Sequence, residues 1–316
     1  MKRTLSTCLF LILTANLWSQ DESRTEYNFL RLPVSAHAAA LGGDNITIPD
    51  DDLMMMFQNP SLIIGATPKT VGLQYMNYMS GCHNASAAFN MVFKEKWNVG
   101  IGVQYMGYGS MQYRDEYNND LGTFSATDIV LSGVLGYELM ENLAGGIAAK
   151  MVYGNISSYT SLAVAVDLGL NYYLPDAEWS FSLVVKNLGG QIKAYDNNYE
   201  KMPLDIQLGV SKQLGTSPLR LSATLVDLNH LNYKIINHLS IGAEALLSEQ
   251  FYVAGGYSFR RADEMKTIDS EGNSSAHSAG LSIGAGINLE RFRLNLSYAK
   301  YHVSSSSIIA NIAFVL

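Results

Sequence analysis

Cysteine is nearly missing from this chain. Of 2 cysteines in 316 residues, Cys8 lies in the leader described below and Cys82 stands alone, so no intramolecular disulfide can form. A large core or a closed sheet must hold the fold instead. Charge is also scarce: 16% of residues are Asp, Glu, Lys or Arg, against about a quarter in ordinary soluble domains. A basic excess is lacking. The formal net charge is −7, and nucleic-acid binding needs a basic face, so nucleic acid is excluded as the partner. No apolar run reaches the length of about 18 residues that a membrane helix needs. The sequence also has no Gly-x-Ser-x-Gly and no glycine loop opening a helix for phosphate. His37, His83, His230, His238, His277 and His302 show no metal-ligand spacing.

What is present begins with a leader. Lys2 and Arg3 precede an apolar core over residues 5–13, and small or polar residues follow to Gln20. This pattern predicts a secretory signal peptide over residues 1–20, which is set aside from the fold. Glycine (27) and tyrosine (19) are abundant, as in barrels.

From residue 70 onward the dominant period is two. In residues 161–174, Leu162, Val164, Val166, Leu168, Leu170, Tyr172 and Leu174 share one face. Ala163, Ala165, Asp167, Gly169, Asn171 and Tyr173 share the other. Successive strand side chains point to opposite faces, so one face is apolar and the other polar or small. Turn residues divide the chain into candidate strands at 70–79, 83–93, 98–114, 124–139, 143–155, 161–174, 179–190, 204–214, 219–228, 236–247, 251–260, 276–289, 292–302 and 307–316. That is about fourteen strands, many long enough to cross a bilayer when tilted.

The connections separate by parity. Every second one is short: 94–97, 140–142, 175–178, 215–218, 248–250 and 290–291. Of the others, 115–123, 190–203 and 260–275 are long and polar. Short turns on one rim and long loops on the other are the organisation of an outer-membrane barrel, placing the protein in the outer membrane of a Gram-negative bacterium with membrane lipid around it. Aromatics gather beside the short turns: Trp97, Tyr137, Trp179, Phe251, Tyr252 and Phe292. They are expected to form a girdle on the periplasmic side. The apolar alternation through Ile308, Ala310, Ile312, Phe314 and Leu316 suits a closing strand. Asp128, Lys150, Asp167, Lys186, Asp205 and Glu244 have the opposite parity. They are expected in the lumen, paired with each other or with a plug, because a charge facing lipid is costly.

Residues 21–69 do not alternate. Residues 35–41 are rich in small side chains and end at Gly42-Gly43, which reads as a short helix with a glycine stop. Asp50, Asp51 and Asp52 then precede Leu53-Met54-Met55-Met56-Phe57, as carboxylates do at a helix start. Asn59-Pro60 ends the turn. A barrel of this size has a lumen too wide for wall side chains to fill. The segment is therefore expected to plug it, with Arg31 and the aspartates pairing with lumen charges. Residues 70–316 form the barrel.

Several elements of this segment together resemble the N-terminal signature of the PorQ family, outer-membrane proteins of the type IX secretion system of Bacteroidetes. They are Phe29-Leu30-Arg31-Leu32-Pro33, Ser35-Ala36, Ala39-Ala40-Leu41-Gly42-Gly43, Asp50-Asp51-Asp52 and Phe57-Gln58-Asn59-Pro60. The related PorV proteins share the Ala-Leu-Gly-Gly and Asn-Pro elements. Both look like members of the wider fatty-acid-transporter (FadL-like) class of plugged barrels. The resemblance is sharp over residues 27–64 and architectural beyond. It implies a non-enzymatic platform that anchors a surface-exposed attachment protein, of the sortase-complex subunit type, at the cell surface.

The alternative is a FadL-like transporter of hydrophobic small molecules, with lipid or detergent able to occupy the lumen. A soluble exported β-protein is the third reading. The three aspartates could bind calcium, as carboxylate oxygens do. Adjacent residues do not all point one way, so a capped turn is expected, with no metal and no cofactor. The Met54–Met56 run is expected to pack on the inner wall; lining a hydrophobic pocket is its other use.

Overall fold

The computed structural model describes residues 25–79, 81–94, 96–268, 274–275, 278–302 and 305–316. The leader expected over residues 1–20 lies outside them, as do His277 and part of the loop expected at 260–275.

Alternation becomes sixteen strands in chain order. They are β1 (Thr70–Met79), β2 (Cys82–Phe93), β3 (Trp97–Arg114), β4 (Asp120–Met140), β5 (Leu143–Ile156), β6 (Tyr159–Leu174), β7 (Trp179–Lys193), β8 (Asp205–Gln213), β9 (Leu219–Leu225), β10 (Leu239–Leu246), β11 (Phe251–Ser258), β12 (Thr267–Ile268), β13 (Ser274–Ser275), β14 (Leu281–Asn288), β15 (Phe292–His302) and β16 (Ser305–Val315). Fourteen of them form one closed antiparallel barrel. The pair β12–β13 is a separate small hairpin in the loop after β11. Pairing of β1 with β16, from Thr70–Val315 to Asn77–Ile308, closes the wall. Closure leaves no sheet edge unpaired, which the hydrocarbon region requires.

Each barrel strand buries one face and exposes the other. In β4, Asp128, Val130, Ser132 and Val134 are buried, and Ile129, Leu131 and Leu135 are exposed. The same belt continues through Ile101, Ile147, Leu183 and Ile283. An exposed apolar surface of this extent is a lipid-facing band, so the sheet is a transmembrane barrel and the soluble reading fails. Leu131 is 53% exposed on this band. Leu131→Arg is therefore expected to cost about 2–4 kcal/mol of stability in vesicles, falling toward zero for the same change near the rims. Reversible urea titration of the refolded barrel would measure it, and a cost below about 0.5 kcal/mol would place Leu131 outside the band.

The strand boundaries differ from expectation at the long-loop rim. β3 and β4 run on past their other neighbours as a two-stranded ribbon through Gln112–Thr123 and Arg114–Asp120, so the loop shrinks to residues 115–119. β9 stops at Leu225 and β10 starts at Leu239, because Ile235–His238 forms a 3-10 turn. The connection expected at 229–235 thus lengthens to 226–238, taking in residues 226–228 and 236–238 where strand was expected. The short connections remain on the opposite rim, beside both the start of β1 and the end of β16.

Residues 28–65 lie within the barrel. They contain the helix Ala36–Ala40 and the 3-10 turns Asn28–Arg31, Leu53–Phe57 and Pro60–Gly65. Ser35 caps the helix by accepting from the Ala38 N–H (3.2 Å), and Asp52 caps the next turn by accepting from the Met54 N–H (2.9 Å). Asn59 begins the last turn as well as ending the previous one, since its Oδ1 accepts from the Ser61 N–H (3.0 Å). Met54, Met55 and Met56 are almost fully buried.

The wall accommodates this segment with glycine. Gly136, Gly146 and Gly169 are aligned across β4, β5 and β6. A Cβ on Gly146 would sit 2.3 Å from the Pro60 carbonyl carbon, and one on Gly169 would sit 2.1 Å from Asn59 Oδ1. On the far side Gly242 and Gly256 pair across β10 and β11, and a Cβ on Gly256 would sit 2.2 Å from the Gly42 backbone nitrogen. Much of the glycine content thus serves close contact between wall and segment.

Candidate functional site: the occupied lumen

All six charges expected in the lumen are buried and inward-facing: Asp128, Lys150, Asp167, Lys186, Asp205 and Glu244. Their partners differ. Lys150 pairs with Asp167 at 2.5 Å within the wall and donates to Asn187 Oδ1 (2.9 Å). Lys186 reaches the segment, donating to Gln58 Oε1 at 3.0 Å. Asp205 accepts from Gln207 Nε2 (2.6 Å) and from the Asp227 N–H (2.7 Å). Asp128 accepts from the Tyr108 hydroxyl at 2.7 Å.

Glu244 is the centre of a latch. It meets His37 Nε2 at 2.6 Å and the Arg220 guanidinium on its other oxygen. Arg220 also grips Asp50. The His37 ring stacks on Tyr252, with centroids 4.2 Å apart. Burial pushes the His37 imidazole down, and the Glu244 and Asp50 carboxylates more than offset this, so its pKa is raised. Burial likewise opposes ionisation of Asp50, and Arg220 overrides it, so that carboxyl is held low.

The other aspartates diverge. Asp51 pairs with Arg293 on β15 and accepts from the Thr67 N–H (2.7 Å). Among the described residues Asp52 pairs with no lumen cation, contrary to expectation. It stays inside the segment, accepting from Ser35 Oγ (2.8 Å) and from Met54. Side chains of neighbouring residues leave the bend before the Leu53–Phe57 turn in different directions, so the three do not converge on an ion. A different trio, His37, Asp50 and Glu244, does bring ligand atoms within 4.8 Å of one another. Arg220 already supplies the positive charge there, which makes the trio an ion-pair network. Arg31 pairs with Asp227 at 2.6 Å at the long-loop rim, where Arg260 meets the same carboxylate. Pro33, Gly42 and Gly43 line the inner turns; both glycines have positive φ, 101° and 104°.

Sequence reasoning passed over Arg220, Arg293 and Asp227, and weighed His37 only as a metal ligand. The two wall arginines were accessible, because each follows an outward apolar residue at strand parity. His37 had no such signal.

Of the aromatics beside the short turns, Trp179 stacks on Phe181 (5.5 Å), and the rings of Trp97 and Tyr137 (4.4 Å) and of Phe292 and Phe314 (5.1 Å) meet tilted. Phe251 is exposed. Tyr252 is the exception: it is buried, and its hydroxyl donates to Asn295 Oδ1 (3.0 Å). It follows Phe251 by one position, so strand parity turns it into the lumen.

Cavities lie between segment and wall at both mouths. One of about 210 Å³ opens at the long-loop mouth and is rich in charge, with Arg31, Asp44, Lys186, Arg261 and Glu264 among its lining. The other, about 230 Å³, lies at the short-turn mouth between Pro49, Ser61, Asn142 and Tyr173. The more apolar hollows, lined by residues such as Leu135, Ile147, Leu183 and Leu208, are on the lipid side.

No protein-family model and no curated protein matches this chain. Solved structures do. The toluene transporter TodX of Pseudomonas putida is similar with a TM-score of 0.60 at 14% identity, over 90% of this chain and 98% of that one. A TodX monoaromatic hydrocarbon channel mutant gives 0.59 at 13%, over 90% and 98%. A FadL homologue of Pseudomonas aeruginosa gives 0.52 at 10%, over 89% and 98%. These likenesses establish the fold as a FadL-like closed fourteen-strand barrel.

Proposed function

We propose that this protein is a non-enzymatic barrel of the Gram-negative outer membrane that passes a small hydrophobic molecule, with residues 28–65 as its gate. The supporting observation is the FadL-like barrel with that segment seated in its lumen, in the likeness of structures described as a toluene transporter and a FadL homologue. The seat sets a condition on passage. Wall glycines touch the segment directly, and the cavities beside it are small, about 210 and 230 Å³, one at each mouth. A hydrophobic solute therefore needs the latch at Glu244, Arg220 and Asp50 to open, which makes carriage gated rather than constitutive.

A second reading is a type IX secretion platform holding a surface-exposed attachment protein. No comparison bears on it. What favours it is the N-terminal signature itself, whose Asp50 joins the latch and whose Asn59-Pro60 turn sits against the wall glycines, together with long loops at residues 194–204, 226–238 and 259–280. A lumen closed this tightly suits a holder as well as a gate.

One experiment separates the two. Uptake of oleate and toluene is measured in Gram-negative cells lacking their own hydrophobic-solute channels, with and without this protein. Saturable uptake that depends on the protein supports carriage. No gain in uptake, with stoichiometric copurification of a surface protein that is lost on shortening residues 194–204 or 259–280, would sink carriage and support the platform.

A further inference from the structure

The cavity at the long-loop mouth holds charges that protein contacts do not account for. Its outer edge is neutralised: Arg31 and Arg260 surround Asp227, and Arg260 also meets Glu264 at 2.6 Å. Deeper in, two buried cations line it. Lys186 donates to the neutral Gln58 Oε1, and Arg261 donates to the carbonyls of Ala279 (2.7 Å), Gly280 (2.9 Å) and Gly42 (3.2 Å). Among the described residues neither meets a carboxylate within ion-pair distance.

The acceptors of the same space are orphaned in turn. Asp44, on the segment, is half-buried and takes no hydrogen bond or ion pair among the described residues. The charges it faces are Asp205, Arg261, Arg260 and Lys186. Gln207 is 3% exposed. Its Nε2 donates to Asp205, which fixes the amide orientation, and its Oε1 is buried without a partner. A buried acceptor left unmade costs free energy, so such a group marks a place where something else binds.

The charge pattern selects the ligand. A simple cation would be repelled by Lys186 and Arg261. A simple anion would be repelled by Asp44 and Asp205. A molecule carrying both signs satisfies both sets. The volume, about 210 Å³, is below the roughly 300–1,000 Å³ of drug-sized pockets, so the guest is one small metabolite. We propose that this cavity binds a small zwitterion of the free α-amino-acid class, its ammonium group on Asp44 and Gln207 Oε1 and its carboxylate on Lys186 and Arg261. The proposal rests on neither function above and stands whichever holds.

The test is calorimetric titration of the purified full-length protein in detergent at about pH 8 with a panel of the common α-amino acids, and with acetate and ethylammonium as single-charge probes. Saturable binding of at least one amino acid is expected, at least about tenfold tighter than either single-charge probe. Asp44→Asn, checked for a retained barrel by far-UV circular dichroism, is expected to weaken it at least about tenfold. Burial pushes the Asp44 carboxyl up to about 6, so affinity for the ammonium group should fall as the pH drops through that value. Saturable binding with these dependences supports the site. Failure of every amino acid to bind, acetate binding as tightly as any of them, or an unchanged Asp44→Asn would overturn it.

Discussion

Arg220→Met is expected to cost about 3–5 kcal/mol and to loosen the segment in the lumen. The side chain joins Glu244 of the wall to Asp50 of the segment. Glu244 is 2% exposed, so removing Arg220 strands a buried carboxylate with only His37 as counter-charge. The loss is mostly the penalty for that uncompensated charge rather than the worth of the pair, so Arg220→Met with Glu244→Leu should recover much of it. The pH dependence follows from His37. Its folded pKa is raised, so its contribution is fully present below the ordinary histidine value and is lost as pH rises through the elevated one. In the native chain Arg220 opposes the protonated imidazole. Without Arg220, His37 carries more of the load, and the deficit of the single variant should widen from about pH 5 to about pH 8. Urea titrations in vesicles at both pH values measure this. A deficit under about 0.5 kcal/mol at either pH would show that the latch carries no stability.

The barrel was legible in the sequence because its physics is local. Period two states which side of the wall each residue takes, and loop parity states which rim each connection joins. Asp167 and Lys150 could be placed inside from alternation alone. Arg220 and Arg293 obey the same rule, standing between Leu219 and Leu221 and between Phe292 and Leu294. Strand ends were less readable. Residues 226–228 continue the composition of β9, yet Asp227 leaves the ladder to pair with Arg31, a contact across most of the chain. The segment was readable in outline from its caps and glycines. Its partners were not, because nothing in Asp50-Asp51-Asp52 says that the first faces Arg220, the second Arg293 and the third its own turn. Those choices depend on where the closed wall holds the segment. Asp44 and Gln207 were invisible for the same reason, since each is unremarkable until the other elements surround it.

Gly146→Val is expected to unseat the Asn59-Pro60-Ser61 turn. Its Cβ would meet the Pro60 carbonyl carbon and the Ser61 nitrogen, each at 2.3 Å. Both are backbone atoms, so no side chain can swing aside. Overpacking costs about 1–3 kcal/mol where neighbours can yield, and more where backbone must move. Here the wall is the stiffer partner. Gly146 pairs with Gly136 on one side and Gly169 on the other, and slipping any of these strands by one residue would turn its lumen face toward lipid. The strain must therefore leave through the segment. Asn59 would lose its contacts to the Ile46 carbonyl (3.0 Å) and to Ser182 Oγ (3.3 Å), and the Pro60–Gly65 turn would withdraw from β4, β5 and β6. The matched control is Gly133→Val on the outer face of β4, where a Cβ meets nothing within 4 Å. Limited proteolysis and planar-bilayer conductance read the difference. Gly146→Val should expose residues 28–65 to cleavage and raise conductance while the barrel persists, and Gly133→Val should do neither. Equal behaviour of the two variants would mean that the glycine row serves the strands and not the seat. The segment would then be held by its ion pairs, hydrogen bonds and buried apolar side chains.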